Sequence, residues 1–239
     1  MNVLSVDLAS RRYTDFGLAL LRSGENRPTF PVLEDMGLEG EPEAKTLASA
    51  LDAYCREEQV EVLLLDGPQA WRWPGSPIEH MRLCERVLNT SGKTGVPGQA
   101  KPRTYLGYIQ FSIDVFHHLR VGHGWRLLTQ DWADHAGRRW LVESFPSAAW
   151  RLLGLNRLPG QPRDRPRLAP WARDLEMVSG MKLREDLSHD ELQAAVVLPA
   201  GRAIAERRPE GVILAGVDPI IHEGTVYEGW IACPRAGPP

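Results

Sequence analysis

At 239 residues the chain is long enough to bury a continuous core, and its 43% hydrophobic and 25% charged residues are those of an ordinary globular protein. A formal net charge of −3 excludes indiscriminate binding of polyanions, which needs surplus Lys and Arg to displace counterions. No apolar run approaches the roughly 20 residues that cross a bilayer, no basic and apolar leader opens the chain, and Cys55, Cys84 and Cys233 form neither a disulfide framework nor a CxxC metal site, so a reduced, cytoplasmic setting without a membrane is expected.

In chain order, Asn2-Val-Leu-Ser-Val-Asp7 reads as a strand that ends in an acid, and Phe16-Gly-Leu-Ala-Leu-Leu21 as a second. A polar connection over 23–28 leads to a third near Phe30-Pro-Val-Leu33, which predicts an antiparallel meander. The period then changes: Ala44, Leu47, Leu51 and Tyr54 recur at helical spacing between Pro42 and Glu58. Val60-Glu-Val-Leu-Leu-Leu65 is a largely apolar run before Asp66-Gly-Pro, the signature of a strand buried on both faces, and strand, helix, strand implies a parallel crossover. Beyond a Trp- and Pro-rich loop, helices are expected over 77–88 and 105–119, with a long loop near 89–104 between them. Trp140-Leu-Val-Glu143 is a short strand and Ser147 starts a helix. An Arg- and Pro-rich loop near 151–170 precedes helices over 171–181 and 188–206, and a last strand covers 226–231. With no repeat and no clean linker, residues 1–239 are expected to form a single α/β domain.

Three acids end predicted strands: Asp7, Asp66 and Glu143. That edge of an α/β sheet is where loops diverge and ligands bind. Asp190 and Glu191 open the helix that follows Ser188. Carboxylates gathered this way repel one another, and a hard divalent cation that keeps several of its waters relieves the repulsion with two or three of them. Singly, each acid also suits a structural role: Asp7 and Asp66 in turns, Asp190 at a helix start, Glu143 on the surface before a bend. The Arg-rich segment holds Arg163, Arg165 and Arg167, whose guanidinium groups match phosphates, while an unexceptional solvated loop accounts for them equally. Trp71 and Trp73 either stack on unpaired bases or pack down on the domain. Ser91-Gly-Lys93-Thr94 lacks the upstream Gly of a phosphate-binding loop, because Val87 stands there.

Val3-Leu-Ser-Val-Asp7-Leu-Ala, Leu63-Leu-Leu-Asp66-Gly-Pro, Leu141-Val-Glu143-Ser-Phe-Pro146-Ser-Ala and Ser188-His-Asp190-Glu-Leu-Gln-Ala-Ala, with Glu228-Gly-Trp-Ile231 near the end, resemble an uncharacterised family of predicted RNase H-like nucleases (domain of unknown function 429). The resemblance implies an RNase H-like fold: a mixed central sheet, three antiparallel strands joined to parallel ones, flanked by helices. It also implies Asp7, Asp66 and Asp190 as ligands of one or two Mg²⁺ or Mn²⁺ ions, with Glu143 as a further catalytic candidate. Lys182 and Arg184 would position a phosphate of a nucleic-acid substrate, DNA or RNA alike. Asp66 departs from the Glu often found at the second position and has the shorter reach. The function so implied is metal-dependent phosphodiester hydrolysis. Its competitors are a non-catalytic nucleic-acid- or partner-binding scaffold and a nucleotide-binding phosphotransfer protein, the latter disfavoured by the absence of Gly-rich phosphate loops. The sequence leaves the oligomeric state open.

Overall fold

The computed structural model describes residues 1–160 and 168–236. Eleven strands and seven α-helices follow in order among them: β1 (Asn2–Asp7), β2 (Gly17–Leu21), α1 (Ala44–Glu57), β3 (Val60–Asp66), α2 (Leu83–Leu88), β4 (Lys93–Thr94), β5 (Ala100–Lys101), α3 (Leu106–His123), β6 (Arg126–Leu127), β7 (Trp140–Ser144), α4 (Pro146–Leu152), α5 (Ala169–Ser179), α6 (His189–Val196), α7 (Leu198–Ala205), β8 (Val212–Gly216), β9 (Ile220–His222), β10 (Thr225–Tyr227) and β11 (Trp230–Pro234). No described helix is long and apolar enough to cross a membrane.

The main sheet runs β2-β1-β3-β7-β11-β8, with β6 beside the start of β7. β2 is antiparallel to β1; β1, β3, β7 and β11 are parallel; β8 closes the far edge antiparallel to β11. Both faces are covered. Val3, Val62, Leu64 and Val142 bury against Leu192, Val196, Ala200 and Ile204 of α6 and α7. Leu4, Leu63, Leu65 and Leu141 bury against Leu47 and Leu51 of α1 and Phe116 and Leu119 of α3. Double coverage explains why β3 reads as an unbroken apolar run rather than an alternating one. The order is that of a mixed, RNase H-like α/β sheet, and the parallel crossover expected from strand, helix, strand is present between β1 and β3.

Several boundaries differ from those the residue pattern predicts. The third strand of the meander shrinks to one bridge, in which Thr29 exchanges both backbone hydrogen bonds with Leu20. Pro28 and Pro31 flank it without N–H groups, so the ladder cannot extend, and Leu33–Met36 is a 3₁₀ turn. The helix predicted over 77–88 forms only as α2, because His80 holds a left-handed φ of +63°. The segment 89–104, read as a loop, carries the β4–β5 ribbon. The helix predicted over 188–206 breaks at Val197, two residues before Pro199, into α6 and α7. The final strand divides into β10 and β11, where Glu228 and Gly229 take φ of +57° and +117°.

Candidate active site: a carboxyl pair at the ends of two parallel strands

β1 and β3 run parallel in a register that sets Asp7 beside Asp66, each the last residue of its strand. A parallel pair in register brings their side chains to the same face, and the two carboxyls hydrogen-bond to each other. Both are half-buried by exposed area yet densely surrounded by protein. Burial, then the charges of Asp66 and Asp190, hold the Asp7 carboxyl well above the usual carboxylate range. Burial pushes Asp66 up to about 7, against the hydrogen bond from Asp7 and with the charge of Glu143 adding to the rise. The pair thus retains a proton at pH values where free carboxyls have lost theirs.

Asp190 reaches this corner through the first turn of α6. Ser188 caps that helix, its Oγ accepting from the Glu191 N–H while the Glu191 side chain accepts from the Ser188 N–H. The helix start lies directly on β2. A Cβ built on Gly17, the residue paired with Asp7, would stand 2.0 Å from the Asp190 carbonyl oxygen. Only glycine permits that approach, and Gly17 is therefore the residue that lets Asp190 come near Asp7. Gly17→Ala is expected to lift α6 from β2, lower stability by about 1–3 kcal/mol and cut any Asp7-dependent activity; wild-type melting and activity would remove this assignment. The Asp190 carboxylate lies 3.0 Å from Nδ1 of His189.

Glu143 sits differently. It pairs in register with Leu65, one residue out of phase with Asp66, so strand alternation sends it to the opposite face. There it is 4% exposed and meets Arg82, which is fully buried. Arg82 donates Nη1 to Oε2 (2.7 Å) and Nη2 to Oε1 (2.8 Å) of Glu143, and its Nε and Nη2 donate to Glu85. The Gln69 amide also donates to Glu143 Oε2 at 2.9 Å. Burial raises the pKa of Glu143, partly offset by Arg82. Glu228 performs a similar task nearby, accepting from the amides of Trp73 and Leu83. These buried carboxylates tie the 67–94 excursion to the sheet.

α3 clamps the turn after β3. Tyr108 donates its hydroxyl to the Asp66 carbonyl (2.6 Å), and Ser112 donates to the Pro68 carbonyl (3.0 Å). Burial and the nearby charges of Asp66, Asp7 and Glu143 push the Tyr108 phenol well upward. A cavity of about 220 Å³ opens beside Asp66, walled by Tyr105, Tyr108, Phe145 and the 90–92 turn.

The other predicted positions spread out. Arg184 pairs with Asp186 and with Glu191, and its guanidinium stacks 5.4 Å from the Phe30 ring. Lys182 is exposed, anchored through its backbone N–H to the Asn26 carbonyl. Arg163, Arg165 and Arg167 lie outside the described residues. Trp71 packs down among Ile109 and Ile113, while Trp73 is half-buried edge-on against His222 and Tyr227. Sequence reading missed Arg82, Gly17 and Tyr108. Only Gly17 carried a local signal, as a glycine inside an apolar strand.

Among the described residues no group of three or more His, Cys, Asp or Glu side chains is close enough to cage a metal ion. Two hard-oxygen carboxyls that now share a proton still suit Mg²⁺ or Mn²⁺, since Mg²⁺ is commonly held by one or two carboxylates and completes its shell with water and substrate phosphate. A cation in place of the shared proton would relieve the same repulsion.

Fold and site together define an RNase H-like α/β protein with a paired carboxyl at the carboxyl ends of its first two parallel strands. No family profile and no curated protein matches the chain. Two solved structures are similar to it. One is the Thermus thermophilus RuvC structure in complex with Holliday junction substrate, at 11% identity over 87% of this chain and 96% of that one, with a TM-score of 0.40. The other is the Thermus thermophilus RuvC structure, at 12% identity over 95% and 99%, with a TM-score of 0.36.

Proposed function

We propose that this protein is a divalent-metal-dependent nuclease that hydrolyses nucleic-acid phosphodiester bonds, with Asp7 and Asp66 as its ion-holding carboxylates and Asp190 completing the acidic corner. The observation that carries the reading is the in-register Asp7–Asp66 pair, half-buried, mutually hydrogen-bonded and raised in pKa at the edge of the sheet where ligands gather. The resemblance of the strand and helix motifs to predicted RNase H-like nucleases agrees with it. Bound Mg²⁺ or Mn²⁺ would supply acidification of water and neutralisation of a phosphate oxygen. Asp7 and Asp66 must first release their shared proton, and their raised pKa values move that release to higher pH than for free carboxyls. Tyr108 and Ser112 hold the 66–68 turn, and with it the Asp66 backbone. Glu143 serves as a positioning residue, fixing Arg82 and the Gln69 amide. Arg184 would reach a phosphate only in competition with Glu191 and Asp186.

The test is cleavage of end-labelled single-stranded and duplex DNA and RNA in Mg²⁺ or Mn²⁺. Cleavage is expected, abolished by chelation and lowered more than about 100-fold in Asp7→Asn, a loss at least that of removing an outer-shell metal partner. Metal binding has its own readout. An ion at 100 times its dissociation constant adds about 2.7 kcal/mol, so Mn²⁺ should raise the melting temperature of the wild type and leave Asp7→Asn unmoved. Nucleic-acid binding without cleavage in either ion would instead favour the non-catalytic scaffold.

A further inference from the structure

The carboxyl pair accounts for one end of a longer surface feature. The cavity of about 220 Å³ that adjoins Asp66 is smaller than the roughly 300–1,000 Å³ of pockets for drug-sized ligands, so it has room for a single ring system. Its wall is aromatic and hydroxyl-rich, with Tyr105, Tyr108 and Phe145 beside Thr90, Ser91 and Ser144. Among its described residues there is no Lys or Arg, and Asp66, Glu85 and Glu143 contribute acid. Glu85 and Glu143 are paired with the buried Arg82, so the wall offers a phosphate no free cation and suits an uncharged planar heterocycle. Tyr105 keeps much of its ring free, being 40% exposed, and rests against Gly92. Ser144 stands in register with Asp66 and is 1% exposed, yet its Oγ has no hydrogen-bond partner among the described residues. A buried hydroxyl left this way calls for a partner, an ordered water or a group of a ligand.

Ser91 also borders a second hollow of about 450 Å³, and the chemistry there reverses. His80, Lys93 and Lys101 line it. Lys93 and Lys101 are direct cross-strand partners in the β4–β5 ribbon, an arrangement of like charges that costs stability unless an anion lies across it. Lys93 gives one of its three donors to the Thr90 carbonyl and keeps two. The ribbon itself is held in place, since the Thr94 amide donates to the buried Glu85 and the Arg72 amide to the Gly95 carbonyl. A basic shelf therefore leads, across Ser91, into an aromatic cavity without Lys or Arg that ends at Asp66.

We infer that the β4–β5 ribbon and this cavity form a binding track for unpaired nucleic acid: Lys93 and Lys101 take backbone phosphates, and one unstacked base enters the cavity against Tyr105 with Ser144 as a polar contact. The inference rests on the nuclease reading and narrows its substrate to single strands or frayed ends. A duplex cannot supply an unstacked base without first opening, whereas a single strand presents its bases freely.

The track is tested in chelator, so that cleavage does not interfere, by fluorescence anisotropy with labelled 12-mers of single-stranded and duplex DNA. The single strand is expected to bind at least about tenfold more tightly than the duplex. Lys93→Gln with Lys101→Gln should weaken single-strand binding and flatten the dependence of log affinity on log salt by about 1.4, the share of two phosphates. Tyr105→Ala should weaken it about tenfold with the salt slope unchanged. Ser144→Ala should melt no lower than the wild type, because its hydroxyl bonds to no described residue, and still bind the single strand more weakly. Equal affinity for duplex, an unchanged salt slope in the lysine variant, or full affinity in Tyr105→Ala would overturn the track. Asp7-dependent cleavage with any of those results leaves the nuclease reading standing alone. Single-strand binding as described, with no cleavage in Mg²⁺ or Mn²⁺, removes the hydrolytic reading and leaves the track.

Discussion

Arg82→Ala is expected to destabilise the protein by about 3–5 kcal/mol, a drop in melting temperature on the order of 10 °C. The guanidinium is fully buried and serves two carboxylates at once, both oxygens of Glu143 and Oε1 of Glu85. Its removal strands two acids where water cannot reach them, and an uncompensated buried charge is far more costly than a lost surface contact. Arg173 provides the contrast. Its pair with Glu185 is well exposed, so Arg173→Ala should change stability by no more than about 1 kcal/mol. Adding Glu143→Gln to Arg82→Ala removes one stranded charge and should recover part of the loss. Thermal melts of the three variants decide the matter, and equal melting of Arg82→Ala and Arg173→Ala would show that the buried arginine contributes no more than a surface pair.

Asp7→Asn is expected to do the reverse and stabilise the protein at neutral pH in the absence of divalent ions. Asparagine keeps the shape of a protonated aspartic acid and can donate to Asp66, but carries no charge to be repelled by Asp66 or Asp190. The pH dependence follows from the sign of the shifts. Below about pH 4 these carboxyls are protonated in folded and unfolded chains alike, and the pair imposes no penalty. Between there and about 7, the folded protein holds a proton that the unfolded chain releases, so wild-type stability declines as pH rises. The penalty is still growing as Asp66 titrates near about 7, because the Asp7 carboxyl is also held well above the usual range. The gain in Asp7→Asn should therefore be small near pH 4.5 and reach about 2 kcal/mol, or about 4–8 °C, at pH 8. Melting curves at the two pH values, in chelator, give the answer. A variant less stable than the wild type at pH 8 would mean that the pair is not electrostatically strained, and the argument for a cation site would lose its physical basis.

Asp7 and Asp66 were legible in the sequence because both lie where an apolar, strand-like run stops, and a strand end needs no tertiary information to be recognised. Double burial of β3 could be read for the same reason, since a run such as Val62-Leu-Leu-Leu65 has no polar face to turn to water. The breaks were harder to see. Pro28, Pro31 and Pro199 were visible as residues, but whether a proline ends an element or merely sits at its first turn depends on what packs beside it. Arg82 offered no signal, because an arginine in a polar stretch looks solvated until a distant Glu143 meets it.

The sequence by itself determined β1, β2, β3 and β7 with the helix before β3, the acids at the ends of β1 and β3, and the helix start that bears Asp190, all of which follow from local periodicity, turn chemistry and capping. Tertiary structure decided which acids meet. Parallel register set Asp7 beside Asp66, the missing side chain of Gly17 admitted Asp190, and a one-residue difference in phase turned Glu143 to Arg82 on the other face. Those outcomes depend on register and close approach between segments far apart in the chain, and no local pattern records either.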